Sequence, residues 1–150
     1  GYADLAAALT ADGIEVRVVG GPGETEAARA IVTRAGLLAR DFTATDLRQG
    51  ILAIAGSDLA VSNDSGLLHV AAATGVPTIG IFGPTSPWHW APLNPLAAAV
   101  QPPSLRGTEM PYHSIAARDD ASYIASVPLS DVLDAVRAVL TRPHSSQASS

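Results

Sequence analysis

The residues best suited to chemistry lie in one run, Ser62-Asn63-Asp64-Ser65-Gly66-Leu67-Leu68-His69. A helix is predicted to begin within this run, because Asp64 or Ser65 can cap free backbone N–H groups. Gly66 leaves room for another group to approach the first helical turn. His69 follows Ser65 by four residues, so both side chains share one helix face. A helix N-terminus attracts anions, and the run therefore predicts a site for a phosphate group.

Each of these residues also has a purely structural interpretation. A histidine on an apolar helix is more often a structural residue, although the position of His69 in the first turn favours contact with a ligand. Asp64 can serve as an N-cap alone, a role worth about 1 kcal/mol, or it can cap and bind together. Glu24 can either favour the dipole of its helix or hold a ligand hydroxyl. Trp88 and Trp90 can stack on a base or sugar, anchor their loop or pack against another domain.

Periodicity predicts alternating helices and strands. Gly36 and Gly75 are expected to end two of the helices, while Thr45 and Ser130 are expected to cap two others. The predicted helices cover 3–11, 24–35, the segment after Thr45, the segment after Ser65 and the segment after Ser130, and the predicted strands cover 14–19, 59–62, 78–82 and 97–101, with a short strand near 41–43 and a long loop over 102–126. This alternation is typical of an α/β fold with a Rossmann-like parallel sheet and flanking helices.

Three polar, glycine-bearing segments follow strands of the predicted sheet. They are Gly20–Glu24, Asn63–His69 and Gly83–His89. Ligands of parallel α/β sheets bind at the carboxyl ends of the strands. We therefore expect these three segments to form one site.

Composition excludes several classes of protein. The chain has 150 residues, enough for one domain, which we place at residues 3–141, followed by a disordered tail at 142–150. Its net charge of −5 argues against a nucleic-acid partner. No apolar run approaches the roughly 20 residues that span a membrane. The absence of cysteine excludes disulfides and thiolate metal sites and favours a cytoplasmic location.

Other catalytic motifs fit poorly. The histidines show no metal-ligand spacing, so no metal site is predicted. The chain has neither a P-loop nor the Gly-x-Ser-x-Gly turn of serine hydrolases. The segment from Gly21 lacks the dinucleotide fingerprint, because Glu26 stands where its third glycine belongs.

The run Ser62–His69, followed by Gly75-Val76-Pro77 and Phe82-Gly83-Pro84-Thr85, resembles the signature of glycosyltransferase family 9. This family comprises heptosyltransferases that use an ADP-activated sugar. The resemblance covers residues 3–140 and is strongest over 56–87. It implies the C-terminal half of a GT-B fold, in which two Rossmann-like domains face a cleft.

The resemblance also implies roles for individual residues. Ser65 and Gly66 match positions whose backbone N–H groups hold the diphosphate of the donor. His69 matches a donor to the phosphate or to the departing sugar oxygen, and Asp64 matches a residue near the sugar hydroxyls. Glu24 matches the carboxylate that holds the ribose. His69 and Asp64 are thus the candidate catalytic residues, and the general base of the family lies in its N-terminal domain.

From this resemblance we expect the donor-binding domain of an inverting, metal-independent glycosyltransferase without a cofactor. The expected partners are a nucleotide-sugar donor, with an ADP-sugar favoured, and a glycan or lipid-linked acceptor bound through an N-terminal domain that this chain lacks. The isolated chain is therefore expected not to catalyse transfer. Its expected location is the cytoplasm, at the inner face of the membrane. The alternatives are a non-catalytic nucleotide-binding or scaffold module, or another GT-B enzyme such as a sugar epimerase.

The family pattern places a strand before the first helix of this chain, and we expect that strand to be missing here. It would lie between the strands at 14–19 and 59–62. Two outcomes are then open. The two strands pair directly, or another segment or partner chain supplies the missing neighbour.

Overall fold

Helices and strands alternate in the computed structural model of the chain, which describes residues 1–107 and 120–141. The helices are α1 (Tyr2–Ala11), α2 (Thr25–Ala35), α3 (Leu47–Ala55), α4 (Gly66–Ala73), α5 (Pro87–Trp90), α6 (Asp120–Ala125) and α7 (Leu129–Leu140). The strands are β1 (Val16–Val18), β2 (Ala39–Asp41), β3 (Ala60–Asn63), β4 (Thr78–Ile81) and β5 (Ala97–Val100), and short 3-10 turns cover Pro22–Glu24 and Pro103–Leu105. The predicted α/β class with parallel strands and flanking helices is confirmed.

The strands form two separate parallel groups. β1 pairs with β2, and β4 lies between β3 and β5. Among the described residues, no strand is hydrogen-bonded between β1 and β3. We call the space between the facing edges of β1 and β3 the central gap. The two strands therefore do not pair directly, and of the two expected outcomes the one in which the sheet closes up does not occur.

The hydrophobic core is built around β4. All four residues of β4 are buried, and Ile79 and the adjoining Phe82 are both 0% exposed. One cluster joins this strand to helices on one side of the sheet, through Leu5, Leu9, Ile79, Ile81, Val100, Val132, Val136 and Val139. An added Cβ at Gly80 would come within 2.5 Å of the Phe82 ring, so glycine allows the ring to pack against the strand. This packing fixes β4 as the rigid centre of the larger strand group.

One arginine connects the two halves of the sheet near its amino end. The Arg17 guanidinium on β1 donates to the carbonyl oxygens of Ala53 and Gly56 at 3.2 and 3.0 Å. These carbonyls lie at the C-terminal end of α3, just before the chain enters β3. A cation is favourable at this end of a helix. Arg17 thus holds β1 against the segment that leads into β3.

Two predicted helix caps are wrong. The N-cap of α3 is Asp46 and not Thr45, because the Asp46 carboxylate accepts a hydrogen bond from the Gln49 N–H at 2.8 Å. Thr45 instead donates to the Phe42 carbonyl oxygen at 2.6 Å. The N-cap of α7 is Pro128, two residues before the predicted cap at Ser130. The predicted ends at Gly36 and Gly75 are confirmed, with φ of 81° and 80° at these glycines.

Short helical elements occur in segments where no regular structure is predicted. α5 forms one turn in the segment 83–92, where no helix is predicted, and Trp88 within it is 76% exposed, so Trp88 does not anchor the loop. Pro103–Leu105 and α6 lie in the predicted long loop. Residues 108–119 and the predicted tail at 142–150 lie outside the described residues, and the domain boundaries at 3 and 141 stay predictions. Across residues 1–107 and 120–141, no helix is both long and apolar enough to cross a bilayer.

The corrected cap of α3 can be tested by mutation. Asp46→Ala removes the acceptor for the Gln49 N–H and is expected to lower the free energy of unfolding by about 1 kcal/mol. Arg48→Ala changes an exposed residue of the same helix and serves as the control, with an expected change within about 0.5 kcal/mol. Urea unfolding of the two variants measures the difference. Equal losses in both would contradict the cap assignment.

Candidate functional site

The carboxyl ends of β1 and β3 lie on either side of a cavity of about 750 Å³, which opens at the central gap. Its walls are mainly apolar side chains of α1, α2, α7, β1 and β3. Polar groups line it where the strands end, namely Tyr2, Glu24, Thr43, Ser62, Asn63 and Ser65. The predicted meeting of the Gly20–Glu24 and Asn63–His69 segments at one edge is thus present in the structure.

The N-terminus of α4 is open to solvent. Ser65 occupies the N-cap position, but its side chain makes no hydrogen bond to the first turn. The Ser65 hydroxyl lies 3.1 Å from that of Ser62. Asp64 precedes the cap, and its own N–H donates to the Ile81 carbonyl oxygen at 3.2 Å. The predicted position of the cap at Ser65 is therefore confirmed, but the predicted hydrogen bond from the side chain of Asp64 or Ser65 to the first turn does not form.

Gly66 and His69 are both exposed on this helix. A Cβ added at Gly66 would meet no atom within 4 Å, so the space beside the first turn is free. His69 lies on the same helix less than one turn further along, a rise of about 4.5 Å at 1.5 Å per residue. Its imidazole is exposed and not buried in the core. Burial in the core would have excluded a role in binding a ligand. Gly66 and His69 therefore flank one accessible surface at the edge of the sheet.

Glu24 organises the turn that follows β1. Its Oε2 accepts a hydrogen bond from the Gly21 N–H at 2.7 Å. A Cβ at Gly20 would lie 2.6 Å from the same oxygen, so glycine is needed there for the carboxylate to fold back. Glu24 thus has the structural role of closing the glycine turn. Its side chain remains exposed at the cavity, so a second role in binding is sterically open.

Tyr2 connects α1 to the carboxyl end of β3, and this contact was not anticipated from the sequence. Its hydroxyl donates to Asn63 Oδ1 at 2.9 Å. Although Tyr2 as a residue is 37% exposed, desolvation around its hydroxyl, with a contribution from the Glu24 charge, raises the pKa of the phenol to about 12. The phenol therefore stays protonated at neutral pH and holds the Asn63 amide in place. Tyr2 lies 61 residues from Asn63 in sequence, and no local pattern signals their contact.

A second carboxylate supports the wall formed after β2. Thr43 donates to Asp41 Oδ1 through its hydroxyl at 2.7 Å and through its N–H at 2.8 Å. These two hydrogen bonds lower the pKa of Asp41. Thr43 is 1% exposed and lines the cavity. The pair therefore fixes the chain where it leaves β2.

The third predicted segment, Gly83–His89, does not line the cavity, so the expectation that all three segments form one site is wrong for this segment. Gly83, Pro84 and Ser86 are buried, and the Ser86 hydroxyl has no hydrogen-bond partner among the described residues. None of the three lines the cavity. Within the described ranges, no group of three or more His, Cys, Asp or Glu side chains is arranged to hold a metal ion. The structure thus brings Glu24 and Ser65 to one cavity, with Gly66 and His69 on the adjoining α4 and Asp64 just before it.

The raised pKa of Tyr2 predicts an alkaline loss of stability. The stabilising contribution of the protonated phenol is fully present below its ordinary pKa of 10.0 and is lost as pH rises towards about 12. Tyr2→Phe should remove this dependence and cost about 0.5–1.5 kcal/mol at neutral pH through the lost hydrogen bond. Denaturant unfolding at pH values on both sides of 10 measures both effects. If the free energy of unfolding of Tyr2→Phe fell above pH 10 as steeply as that of the unchanged chain, the assignment would be contradicted.

Comparison with known proteins shows which sequence family this chain matches. The family model described as glycosyltransferase family 9 (heptosyltransferase) matches residues 1–111. Lipopolysaccharide heptosyltransferase 2 of Escherichia coli (strain K12) is 35% identical over 105 residues, covering 67% of this chain and 30% of that protein. Lipooligosaccharide heptosyltransferase 2 of Haemophilus influenzae is 33% identical over 105 residues, with the same two coverages of 67% and 30%.

Solved structures show the same relationship. The structure of E. coli ADP-heptose lps heptosyltransferase II superposes with a TM-score of 0.74 at 30% identity, covering 93% of this chain and 40% of that one. The glycosyl transferase family 9 structure from Veillonella parvula DSM 2008 gives a TM-score of 0.80 at 20% identity, covering 95% and 41%. This chain thus spans less than half the length of these relatives. The matched residues and the shared fold together show that the chain belongs to glycosyltransferase family 9.

Proposed function

We propose that this chain is the donor-binding domain of an inverting, metal-independent glycosyltransferase that resembles heptosyltransferases. The observation that carries the proposal is the open first turn of α4, with His69 exposed beside it. The E. coli relative at 30% identity is named for ADP-heptose and lipopolysaccharide, which favours an ADP-sugar as donor. The donor is a substrate in this proposal, and no cofactor takes part.

The residues divide the donor between them. The diphosphate lies against the first turn of α4, where the backbone N–H groups of Ser65 and Gly66 donate to its oxygens. His69 donates a hydrogen bond to the same phosphate or to the departing sugar oxygen. Asp64 contacts the sugar hydroxyls. Glu24 contacts the ribose with the carboxylate edge that does not hold Gly21, since Oε2 is already engaged there.

The proposed reaction is a single displacement. A hydroxyl oxygen of the acceptor bonds to the anomeric carbon while the bond from that carbon to the phosphate oxygen breaks, and a base takes the hydroxyl proton. Negative charge grows on the leaving diphosphate. N–H groups and an imidazole already pointed at that diphosphate stabilise the transition state more than the ground state. The role of this chain is therefore to bind the donor and stabilise its leaving group.

The acceptor and the base belong to the longer protein in this proposal. A glycan or lipid-linked acceptor reaches the donor through a second domain, as the family pattern implies. Because the chain covers 40% of its E. coli structural relative, residues 1–150 alone are proposed to bind donor without transferring sugar. A cytoplasmic location at the inner membrane face completes the proposal, supported by the absence of cysteine.

A substitution at Gly66 tests ADP binding separately from the stability of the fold. Gly66→Ala puts a methyl group into the open space beside the first turn of α4, where the diphosphate is proposed to lie. Stability should stay equal or rise by up to about 1 kcal/mol, because alanine favours a helix over glycine. ADP affinity should fall roughly tenfold, equivalent to about 1.4 kcal/mol. Calorimetric titration with ADP, UDP and adenosine measures the affinity, and urea unfolding measures the stability.

Gly50→Ala is the matched control for that experiment. Gly50 lies within α3, and its added Cβ would make an ordinary contact of 3.5 Å with Val19. The same change in helix propensity therefore occurs away from α4, and ADP affinity should not change. The donor-binding proposal would be refuted if the wild-type chain bound neither ADP nor UDP, or if both variants weakened ADP binding equally.

His69 is tested in the longer enzyme. His69→Ala should lower kcat/KM by roughly a hundredfold, the order expected when one donor to a developing charge is lost. Arg137→Ala, on the exposed side of α7, is the control and should leave kcat/KM unchanged. Analysis of the product would at the same time separate sugar transfer from epimerisation. Unchanged kinetics in His69→Ala would exclude its proposed role.

A further inference from the structure

Ser62 is held on the most rigid part of the sheet. It lies on β3 opposite Gly80 of β4, within the ladder that joins these two strands. All four residues of β4 are buried, and β5 pairs with its other edge. A residue on such a closely packed strand has little freedom to shift its backbone. The Ser62 hydroxyl is therefore attached to a fixed point near the carboxyl end of β3.

Ser65 has the backbone conformation of a helix cap but lacks the hydrogen bond of one. Its φ of −154° and ψ of 169° place it in the extended region that N-cap residues adopt. A serine in that conformation normally accepts a hydrogen bond from the second or third N–H of its helix. The Ser65 side chain makes no such bond, and its Oγ lies 3.1 Å from that of Ser62. The Ser62 hydroxyl thus replaces a helix N–H as the partner of Ser65.

The first turn of α4 has two backbone donors that this arrangement leaves open. The Leu68 N–H donates to the Ser65 carbonyl oxygen at 3.1 Å. The Gly66 and Leu67 N–H groups precede the first intrahelical bond, and no described residue accepts a backbone hydrogen bond from them. Gly66 is exposed, and Ser65 and Leu67 both line the cavity. A ligand at this edge of the sheet can therefore reach both donors.

The bond between the two serines competes with capping of the helix. Rotation about one side-chain bond carries a serine hydroxyl between staggered positions, so the Ser65 oxygen can turn from Ser62 to the Leu67 N–H. Capping would engage one of the two open donors and bring the hydroxyl over the first turn. It would also stabilise the helix, since serine is among the preferred N-cap residues. The partner of the Ser65 hydroxyl therefore decides whether the turn is capped or open.

We propose that Ser62 is a positioning residue of the donor site, whose hydroxyl holds that of Ser65 away from the first turn of α4. This inference rests on the proposed donor-binding function, in which the diphosphate lies against that turn. Ser62 does not contact the donor in this arrangement. It keeps the Gly66 and Leu67 N–H groups unoccupied until the diphosphate binds. Donors that need not first be released from a protein partner stabilise an anion without reorganisation.

Amide hydrogen exchange tests the first half of the proposal without any nucleotide. Ser62→Ala removes the competing hydroxyl, so Ser65 should cap α4, and exchange at the Leu67 N–H should slow about fivefold. Ser57→Ala is the matched control, because Ser57 is also half-buried and donates to the Ala53 carbonyl oxygen before β3 begins. Exchange at Leu67 in this control should equal that of the unchanged chain. Unaltered exchange in Ser62→Ala would overturn the proposal.

Calorimetric titration with ADP tests the second half. Ser62→Ala should weaken ADP binding roughly fivefold, because the new cap occupies a donor that the diphosphate uses. In a Ser65→Ala background no hydroxyl is left to cap the turn, so the same change should alter ADP affinity by less than about twofold. Urea unfolding of each variant checks that the fold is intact. Equal weakening in the two backgrounds would show that Ser62 acts independently of Ser65 and would overturn the proposal.

The two measurements separate this inference from the donor-binding proposal. If the unchanged chain binds ADP while Ser62→Ala alters neither ADP affinity nor Leu67 exchange, only the role of Ser62 is refuted. If the unchanged chain binds neither ADP nor UDP, the donor-binding proposal is refuted and the role of Ser62 in a donor site falls with it. Slower exchange at Leu67 would in that case show only that Ser62 controls the cap of α4.

Discussion

The hydrogen-bonded ladder between β3 and β4 determines where the candidate site forms. Its last bond joins the Asp64 N–H to the Ile81 carbonyl oxygen at 3.2 Å, and the chain then leaves the sheet at once. α4 begins two residues later, so its first turn has to lie at the sheet edge. Since β4 is packed on both faces and both edges, this placement has little freedom to change. The accessibility of Gly66 and His69 follows from that constraint.

The first turn of α4 lacks a side-chain cap, and its position at the sheet edge leaves its N–H groups accessible. Helix N-termini in folded proteins are normally satisfied by a side chain, water or a ligand. α3 has such a cap in Asp46, whereas the Ser65 hydroxyl at the start of α4 is turned towards Ser62. The first turn of α3 thus has a side-chain hydrogen-bond acceptor, whereas the first turn of α4 has none. α2, α5 and α7 also lack a side-chain cap, and α4 differs from α5 and α7 in that its N-cap residue, Ser65, lines the cavity.

Sequence patterns predicted the elements well because apolar spacing decides which face of a helix or strand is buried. The helices with clear stripes, α2 and α7, and the fully apolar β4 were located within a few residues. The helix caps were predicted less well. Thr45 and Asp46 are adjacent and both residue types suit the N-cap position, so only the backbone conformation decides which of them caps the helix. The candidate run Asp64–His69 could be proposed from the sequence because its residues are contiguous. Tyr2 was missed because its contact with Asn63 joins distant parts of the chain.

Arg17 and Tyr2 make hydrogen bonds at different ends of the cavity, and these bonds differ in their resistance to high pH. The guanidinium that bridges β1 to the C-terminal end of α3 stays charged throughout the range in which proteins remain folded. The phenol that reaches Asn63 can release its proton in strong base. As the pH rises towards about 12, the hydrogen bond from α1 to Asn63 is therefore lost, whereas the bonds from Arg17 to the C-terminal end of α3 persist.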